Sequence, residues 1–319
     1  MHITFSNPLY LWFLFLIPVL IFAHFFFFKR SRSKALIFSN IQAIRRMAKG
    51  NIISANLTHL VLRSLIVVAI VVAASGAKLN VLGDKSDVNI VFALDSSASM
   101  SSPDVGSSRF DTAKYLISNI LSTSPRGGEY ALISFSGASF IRQRFTFERA
   151  ELLLTLDNMD VARLGGTDVG GAIIAATNLF ESRSEGGRVL ILLSDGLNNA
   201  GSFISSSPDE IVDYARDNLI VIHSIAIGGE GGPLGFLPEY YQIPAMFDDS
   251  LVNLLSEGTG GSSFRIESFS DVEGVVESLD FETSRAYITY DLAYWAFIVI
   301  FVLLSLEWIL ANTIYRRVL

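Results

Sequence analysis

The 319-residue chain contains no cysteine, which excludes a disulfide framework and any thiolate metal site and is compatible with any redox compartment. Histidine is scarce: of four, only His223 falls between residues 81 and 291. It sits inside an apolar run, where a satisfied core imidazole is the ordinary reading, so serine hydroxyls in that region have no evident base to make them nucleophiles. Acid is missing altogether from residues 1 to 80, which carry nine Lys or Arg, whereas residues 81 to 291 carry 30 Asp or Glu against 13 Lys or Arg. The two regions face different surroundings. The acidic middle argues against nucleic acid as a partner, because phosphate would be repelled.

Half of the composition is apolar, enough to build a core in one large or two small domains. Part of it forms long runs. Tyr10 to Phe28 is almost continuously apolar with aromatic ends, long enough to cross a bilayer at about 1.5 Å per residue. Its basic cluster follows the run rather than preceding it, which reads as a retained helix and not a cleaved signal peptide, although Pro18 interrupts it. Further spans are expected at about 60–79 and 292–312. The loop 29–58 between the first two is basic, and Arg316 and Arg317 follow the third. The positive-inside rule then puts the loop and the C-terminus in the cytoplasm and residues 81–290 on the periplasmic or extracellular side of a cell membrane crossed three times. Two charges intrude on the spans, Arg63 and Glu307. They either reach the headgroups separately or pair between the second and third helices at matching depth.

From Asp87 the pattern changes. Short apolar runs (89–94, 130–135, 140–144, 189–194, 221–227 and 263–265) alternate with amphipathic stretches (109–122, 149–156, 169–181, 208–218, 249–257 and 271–284). Phe110, Ala113, Ile117, Ile120 and Leu121 show the spacing of one helix face. The expected fold class is α/β, a doubly wound, mainly parallel sheet covered on both faces, with three transmembrane helices. The domain reading is 1–80 for two spans and a basic loop, 81–290 for the α/β domain, and 291–319 for the last span and a short basic tail. In such sheets ligands bind beyond the carboxyl ends of the strands, near the topological switch point.

Chemistry-bearing residues gather at those ends. The apolar run from Asn89 stops at Asp95, and Ser97 and Ser99 follow at alternate positions; Asp195 follows Val189 to Ser194; Gly165-Gly166-Thr167-Asp168 precedes the helix at Val169. Asp95, Ser97, Ser99, Thr167 and Asp195 thus supply five oxygen donors from three loops, a set suited to the hard cations Mg²⁺, Mn²⁺ or Ca²⁺. Each also has a plainer reading. Asp95 and Asp195-Gly196 are good turn formers, Thr167 is a helix cap, and Asp168 is a first-turn acid favoured by the helix dipole.

The spacing Asp-x-Ser-x-Ser, then Thr, then Asp resembles the metal-ion-dependent adhesion site of the von Willebrand factor A domain, in the family's order. Within that family the layout is similar to the membrane-anchored BatA group linked to aerotolerance operons. Two N-terminal spans around a basic loop, Ser194-Asp195-Gly196 and a last span with Leu306-Glu307-Trp308 before Arg316-Arg317 carry that likeness. Ala98 departs from the Gly that many members carry there, a change the loop should tolerate. The resemblance implies a bound divalent ion, usually Mg²⁺, with one coordination position left for a partner's acidic side chain. It implies sister membrane proteins and a MoxR-type AAA+ ATPase as partners, and binding rather than catalysis. An apolar loop from Gly228 to Phe247 adds Phe236, Tyr240 and Tyr241 as candidate partner contacts, unless it packs on its own domain. Two other readings stand beside this one: a structural subunit whose metal only stabilises the fold, and a Mg²⁺-dependent phosphatase-like hydrolase. The second is disfavoured because Ser97 occupies the position where such enzymes carry a second acid.

Overall fold

The computed structural model describes residues 2–35, 52–85, 88–124, 128–162, 166–183, 186–196, 208–229, 247–279 and 284–313. The chain divides into two compact units, Met1–Val81 with Thr289–Leu319, and Leu82–Ile288.

The first unit holds strand β1 (His2–Phe5), a 3-10 helix (Pro8–Phe15), α1 (Leu16–Ala35), α2 (Ile52–Ala74), and most of β2 (Ala77–Lys85). The end of β9 (Ser284–Asp291) and α9 (Leu292–Asn312) complete it. Three helical stretches, Pro8–Phe27, Leu57–Ala74 and Leu292–Asn312, are long and apolar enough to cross a membrane. Phe22 and Phe301 are among many large apolar side chains left exposed along them, a surface that water does not tolerate. Pro18 does not break the first stretch. It falls in the first turn of α1, a position that tolerates proline.

The second helix ends earlier than the sequence suggests. It stops at Ala74, because Gly76 adopts a left-handed φ of +60° and its amide closes back on the carbonyl of Ala73, a helix-ending geometry that glycine adopts without strain. Residues up to Leu79, expected in the span, instead enter β2, which pairs antiparallel with β1 in the register His2↔Asn80 to Phe5↔Ala77. A three-stranded sheet results, in the order β1-β2-β9; the sequence reading contains no counterpart to it. Asn80, fully buried, holds the sheet together through its amide: Nδ2 donates to Thr4 Oγ1 at 3.0 Å and Oδ1 accepts from Thr289 Oγ1 at 2.9 Å.

The second unit is the α/β domain. Six strands stand in the order β5 (Ser139–Thr146), β4 (Glu129–Phe135), β3 (Val88–Asp95), β6 (Gly187–Ser194), β7 (Ile220–Ile227), β8 (Ser263–Ile266). All neighbours run parallel except β4 and β5. Every residue of β3 and of β7 is buried, and alternation divides β3 between two cores. Ile90, Phe92 and Leu94 pack with α3 (Arg109–Thr123), α4 (Arg149–Asp157) and α8 (Asp271–Ser278). Val91 and Ala93 pack with α5 (Val169–Glu181), α6 (Pro208–Asp217) and α7 (Ser250–Thr259). The sheet is therefore doubly wound, as the unbroken apolar runs predict. His223 lies in the buried strand β7 and its Nδ1 accepts from the amide of Ser262 at 3.2 Å.

Arg63 and Glu307 meet. Arg63 Nε donates to Glu307 Oε1 at 2.7 Å, and His59 Nδ1, which the sequence reading leaves out, lies 3.9 Å from the same oxygen. The expected consequence is that Glu307→Gln and Arg63→Gln each weaken packing of α2 on α9 by roughly 0.5–2 kcal/mol. Amounts of intact protein in membranes and its thermal unfolding in detergent check this; wild-type behaviour of both variants would contradict it.

Candidate metal centre

The sheet order makes β3 and β6 neighbours at the point where the chain turns from one half of the sheet to the other, so their carboxyl ends border the crevice expected to bind ligands. The parallel register matches Leu94 with Leu193, which brings the next residues, Asp95 and Ser194, opposite each other. Ser194 Oγ donates to Asp95 Oδ2 at 2.7 Å, and the Ser97 amide donates to Asp95 Oδ1 at 2.8 Å. Both carboxylate oxygens are thus fixed by turn and register alone. Ser97 Oγ and Ser99 Oγ stand 3.0 Å apart, on the same loop. That loop is tied to β4, where the Ser96 amide and hydroxyl both donate to the carbonyl of Phe135, at 2.7 and 3.0 Å.

The loop before α5 arrives at the same edge, because the Asp168 amide donates to the carbonyl of Ser136 at 2.7 Å. Thr167 is buried there. The helix cap is Asp168, one residue later, whose Oδ1 accepts from the Gly171 amide at 2.8 Å; the capping role open to Thr167 falls to its neighbour. Gly165 lies outside the described residues, as do Phe236, Tyr240 and Tyr241. Ser136 Oγ is buried with no hydrogen-bond partner among the described residues, at the strand end where these two loops meet.

Asp195 follows β6 and is fully buried, as is Asp95. Gly196 next to it has φ +90°, and a Cβ there would lie 1.4 Å from the carbonyl oxygen of Asp248, so only glycine fits. The Asp248 amide in turn donates to the carbonyl of Asp195 at 3.1 Å. Burial, together with the charge of Asp195 and against the hydrogen bonds from Ser194 and Ser97, pushes the Asp95 carboxyl up to about 7. Two carboxylates have been forced into one dry corner.

Two further residues belong to this corner and were not foreseen. Arg109, the first residue of α3, is entirely buried. Its Nε donates to Asp104 Oδ1 at 2.9 Å and its Nη2 to Asp104 Oδ2 at 2.6 Å, while Nη1 reaches Asp195 Oδ2 at 3.3 Å. Asp104 Oδ2 also accepts from the amide of Gly229 at 3.0 Å. Burial alone would raise the Asp104 carboxyl, but Arg109 and the Gly229 amide hold it below the usual carboxylate range. The only sequence signal was an arginine at the start of an apolar-faced helix, which reads as solvated.

Among the described residues no three His, Asp or Glu side chains form a metal-binding group; a cation here would depend on two carboxylates with hydroxyls. The donor set fits. All donors are oxygen, the two carboxylates repel each other, and a buried hydroxyl stands unpartnered at the same edge, which together suit a hard divalent ion.

The fold is that of a von Willebrand factor type A domain, and residues 90–198 match the family profile of that description. The chain also matches, over residues 1–76, the profile described as aerotolerance regulator N-terminal, or BatA. It therefore carries a von Willebrand factor type A domain behind an N-terminal region of the BatA kind, as the sequence resemblance implies. An uncharacterized protein of Borreliella burgdorferi is 25% identical over 278 residues, which span 83% of this chain and 80% of that one. Two solved structures share the fold. The conserved hypothetical protein BatB from Bacteroides thetaiotaomicron is 23% identical with a TM-score of 0.53, and an aerotolerance-related membrane protein from Bacteroides fragilis is 21% identical with a TM-score of 0.54. Each alignment covers 61% of this chain and 98% of the other.

The raised Asp95 carboxyl gives a signed pH dependence in the absence of metal. Its ordinary value is 3.8 and its folded value about 7, so between those limits the folded chain holds a proton that the unfolded chain has released. The contribution of Asp95 to stability in chelator should be fullest below about pH 4, fall as pH rises towards 7, and level off above it. Thermal unfolding across that range checks the slope, which Asp95→Asn is expected to flatten; a slope that survives the substitution has another source.

Proposed function

We propose that this protein is a membrane-anchored binding module, a BatA-like adhesion or assembly protein whose surface is completed by a divalent ion, Mg²⁺ before Mn²⁺ or Ca²⁺. The observation that carries it is the meeting of Asp95, Ser97, Ser99 and Asp195 at one sheet edge, with Thr167 buried in the loop tied to that edge. Asp95 and Asp195 would hold the ion by charge, and Ser97, Ser99 and Thr167 by their hydroxyls. When bound, such an ion supplies a positive centre that neutral hydroxyl ligands leave electrophilic enough to attract one more carboxylate. On this reading that carboxylate comes from a protein partner.

The role is binding and not bond-making. Ser97 and Ser99 face each other, and the histidine of the domain is engaged with the Ser262 amide in β7, which supports a site without a general base. Both ends of the apolar loop lie against the site, Gly229 through Asp104 and Asp248 through Asp195. Phe236, Tyr240 and Tyr241 between them are proposed as the apolar part of the partner surface. The charge asymmetry of the sequence supports a domain outside the cytoplasm with the C-terminus inside, and residues 1–80, 81–290 and 291–319 as the working division. The resemblance to BatA supports sister membrane proteins and a MoxR-type AAA+ ATPase as partners through the spans and the basic loop.

The test is unfolding of the protein in Mg²⁺ and in chelator. At about a hundred times its dissociation constant an ion should stabilise by about 2.7 kcal/mol, and Asp95→Ala should abolish the shift. No shift at millimolar Mg²⁺ or Mn²⁺ would end the metal reading. A shift with no chelator-sensitive partner in cross-linked membranes would leave the ion a stabilising role only.

A further inference from the structure

One edge of the α/β sheet differs from the rest of the domain surface. Strand β5 is outermost in the sheet order, and its only strand partner among the described residues is β4, so main-chain donors and acceptors face outwards along it. Large apolar side chains gather there. Among the described residues of 82–288 those exposed are Tyr115, Leu254 and Phe269, which stand apart in sequence, and Phe140, Ile141, Phe147 and Leu154, which lie on β5 or shortly after it. The strand also carries Arg142 and Arg144 and no acid, although residues 81 to 291 hold 30 Asp or Glu against 13 Lys or Arg.

Both arginines are exposed. Arg142 Nε donates to Ser134 Oγ at 2.7 Å, and its guanidinium lies over the ring of Phe140, 5.5 Å from the centroid, so charge and apolar surface share one face of the strand. Arginines and bulges are ordinary guards that keep an edge from pairing, and the register of β5 on β4 does slip, between Tyr130 and Ile133. Two details oppose a guarding role. The slips spare Ser139 to Ile141, which pair in constant register with Phe135 to Ile133. In that regular stretch the exposed residues are Phe140 and Ile141, where a guard would be polar.

The occupant follows from charge. A second copy pairing through the same strand would set the arginines of one copy against those of the other, an unfavourable cross-strand arrangement. A segment bearing carboxylates matches both arginines, and their charge steers it to this edge of an otherwise acidic domain. We propose that β5 is a docking edge for an extended, acidic segment of a partner protein, which joins the six-stranded sheet as a further strand. Main-chain hydrogen bonds hold it, and Phe140, Ile141, Arg142 and Arg144 select it. This does not depend on the metal reading.

The experiment uses the full chain in detergent and a fluorescent eight-residue peptide of alternating Glu and Val, the length of β5, with binding read by anisotropy in chelator. Wild type is expected to bind this peptide, and to bind a version with Lys in place of Glu about tenfold more weakly or worse. Arg142→Glu/Arg144→Glu should weaken binding of the Glu peptide to a similar degree. So should N-methylation of alternate peptide residues, which blocks the main-chain ladder. If Arg142→Glu does not fold for want of its bond to Ser134, Arg144→Glu alone carries the charge test. No binding at millimolar peptide overturns the inference, as does binding that the arginine variants leave intact. Equal affinity for the N-methylated peptide also overturns it, since charge alone would then account for capture. Dissociation of a wild-type dimer by Phe140→Glu would give the edge to a second copy instead. Every arm is read without metal, so the metal reading stands or falls separately.

Discussion

Two carboxylates share a buried corner because two parallel strands end side by side. Asp95 and Asp195 are each the residue at which an apolar strand has run its length, and the register of β3 against β6 leaves no room to separate them. Burying like charges together is costly, and much of the surrounding structure answers that cost. Ser194 and the Ser97 amide solvate Asp95, Arg109 reaches Asp195, and Asp104 steadies Arg109. Gly196 lets the chain turn away at once, and the backbone of Asp248 closes over the turn. A corner arranged in this way lets two carboxylates stand side by side out of water.

What could be read from the sequence was whatever depends on neighbours along the chain. The strand ends, the hydroxyls at alternate positions after Asp95 and the cap before Val169 are local patterns, and the six strands and first five helices of the domain fall close to where periodicity put them, whereas the sixth, expected over 271–284, stops at Ser278 and Ser284 opens β9. Arg109 was hidden for the opposite reason. Its partner Asp195 lies 86 positions away, and an arginine opening a helix gives no sign of whether it faces water or the core. The end of the second span was misread because Ala77 and Leu79 carry the apolar pattern past Gly76, on either side of Lys78. Only the φ of +60° at that glycine, a property of the folded backbone, separates helix from strand there. The sheet β1-β2-β9 joins segments from both ends of the chain, and no local periodicity announces such a pairing.

The helical unit solves a smaller version of the same electrostatic problem. Glu307 and Arg63 would each be expensive among apolar side chains, and together they are tolerable. His59 beside the pair makes α2 the helix that supplies both polar neighbours of Glu307. The pair was legible because two lone charges at matching depth have few other partners, whereas His59 carried no such mark.

The separation of these partners along the chain has a consequence for biogenesis. Arg63 and Glu307 are 244 residues apart, and the Asn80 amide waits for a hydroxyl 209 residues later. At about 5–20 residues per second, translation leaves roughly 12–50 s between the emergence of the arginine and that of its glutamate. During that interval the second helix holds an unmatched charge, and the whole α/β domain is made before the third helix exists. Strand β9 and helix α9 complete a unit whose first strand was made before the α/β domain, so the sheet β1-β2-β9 closes only after that domain has been synthesised.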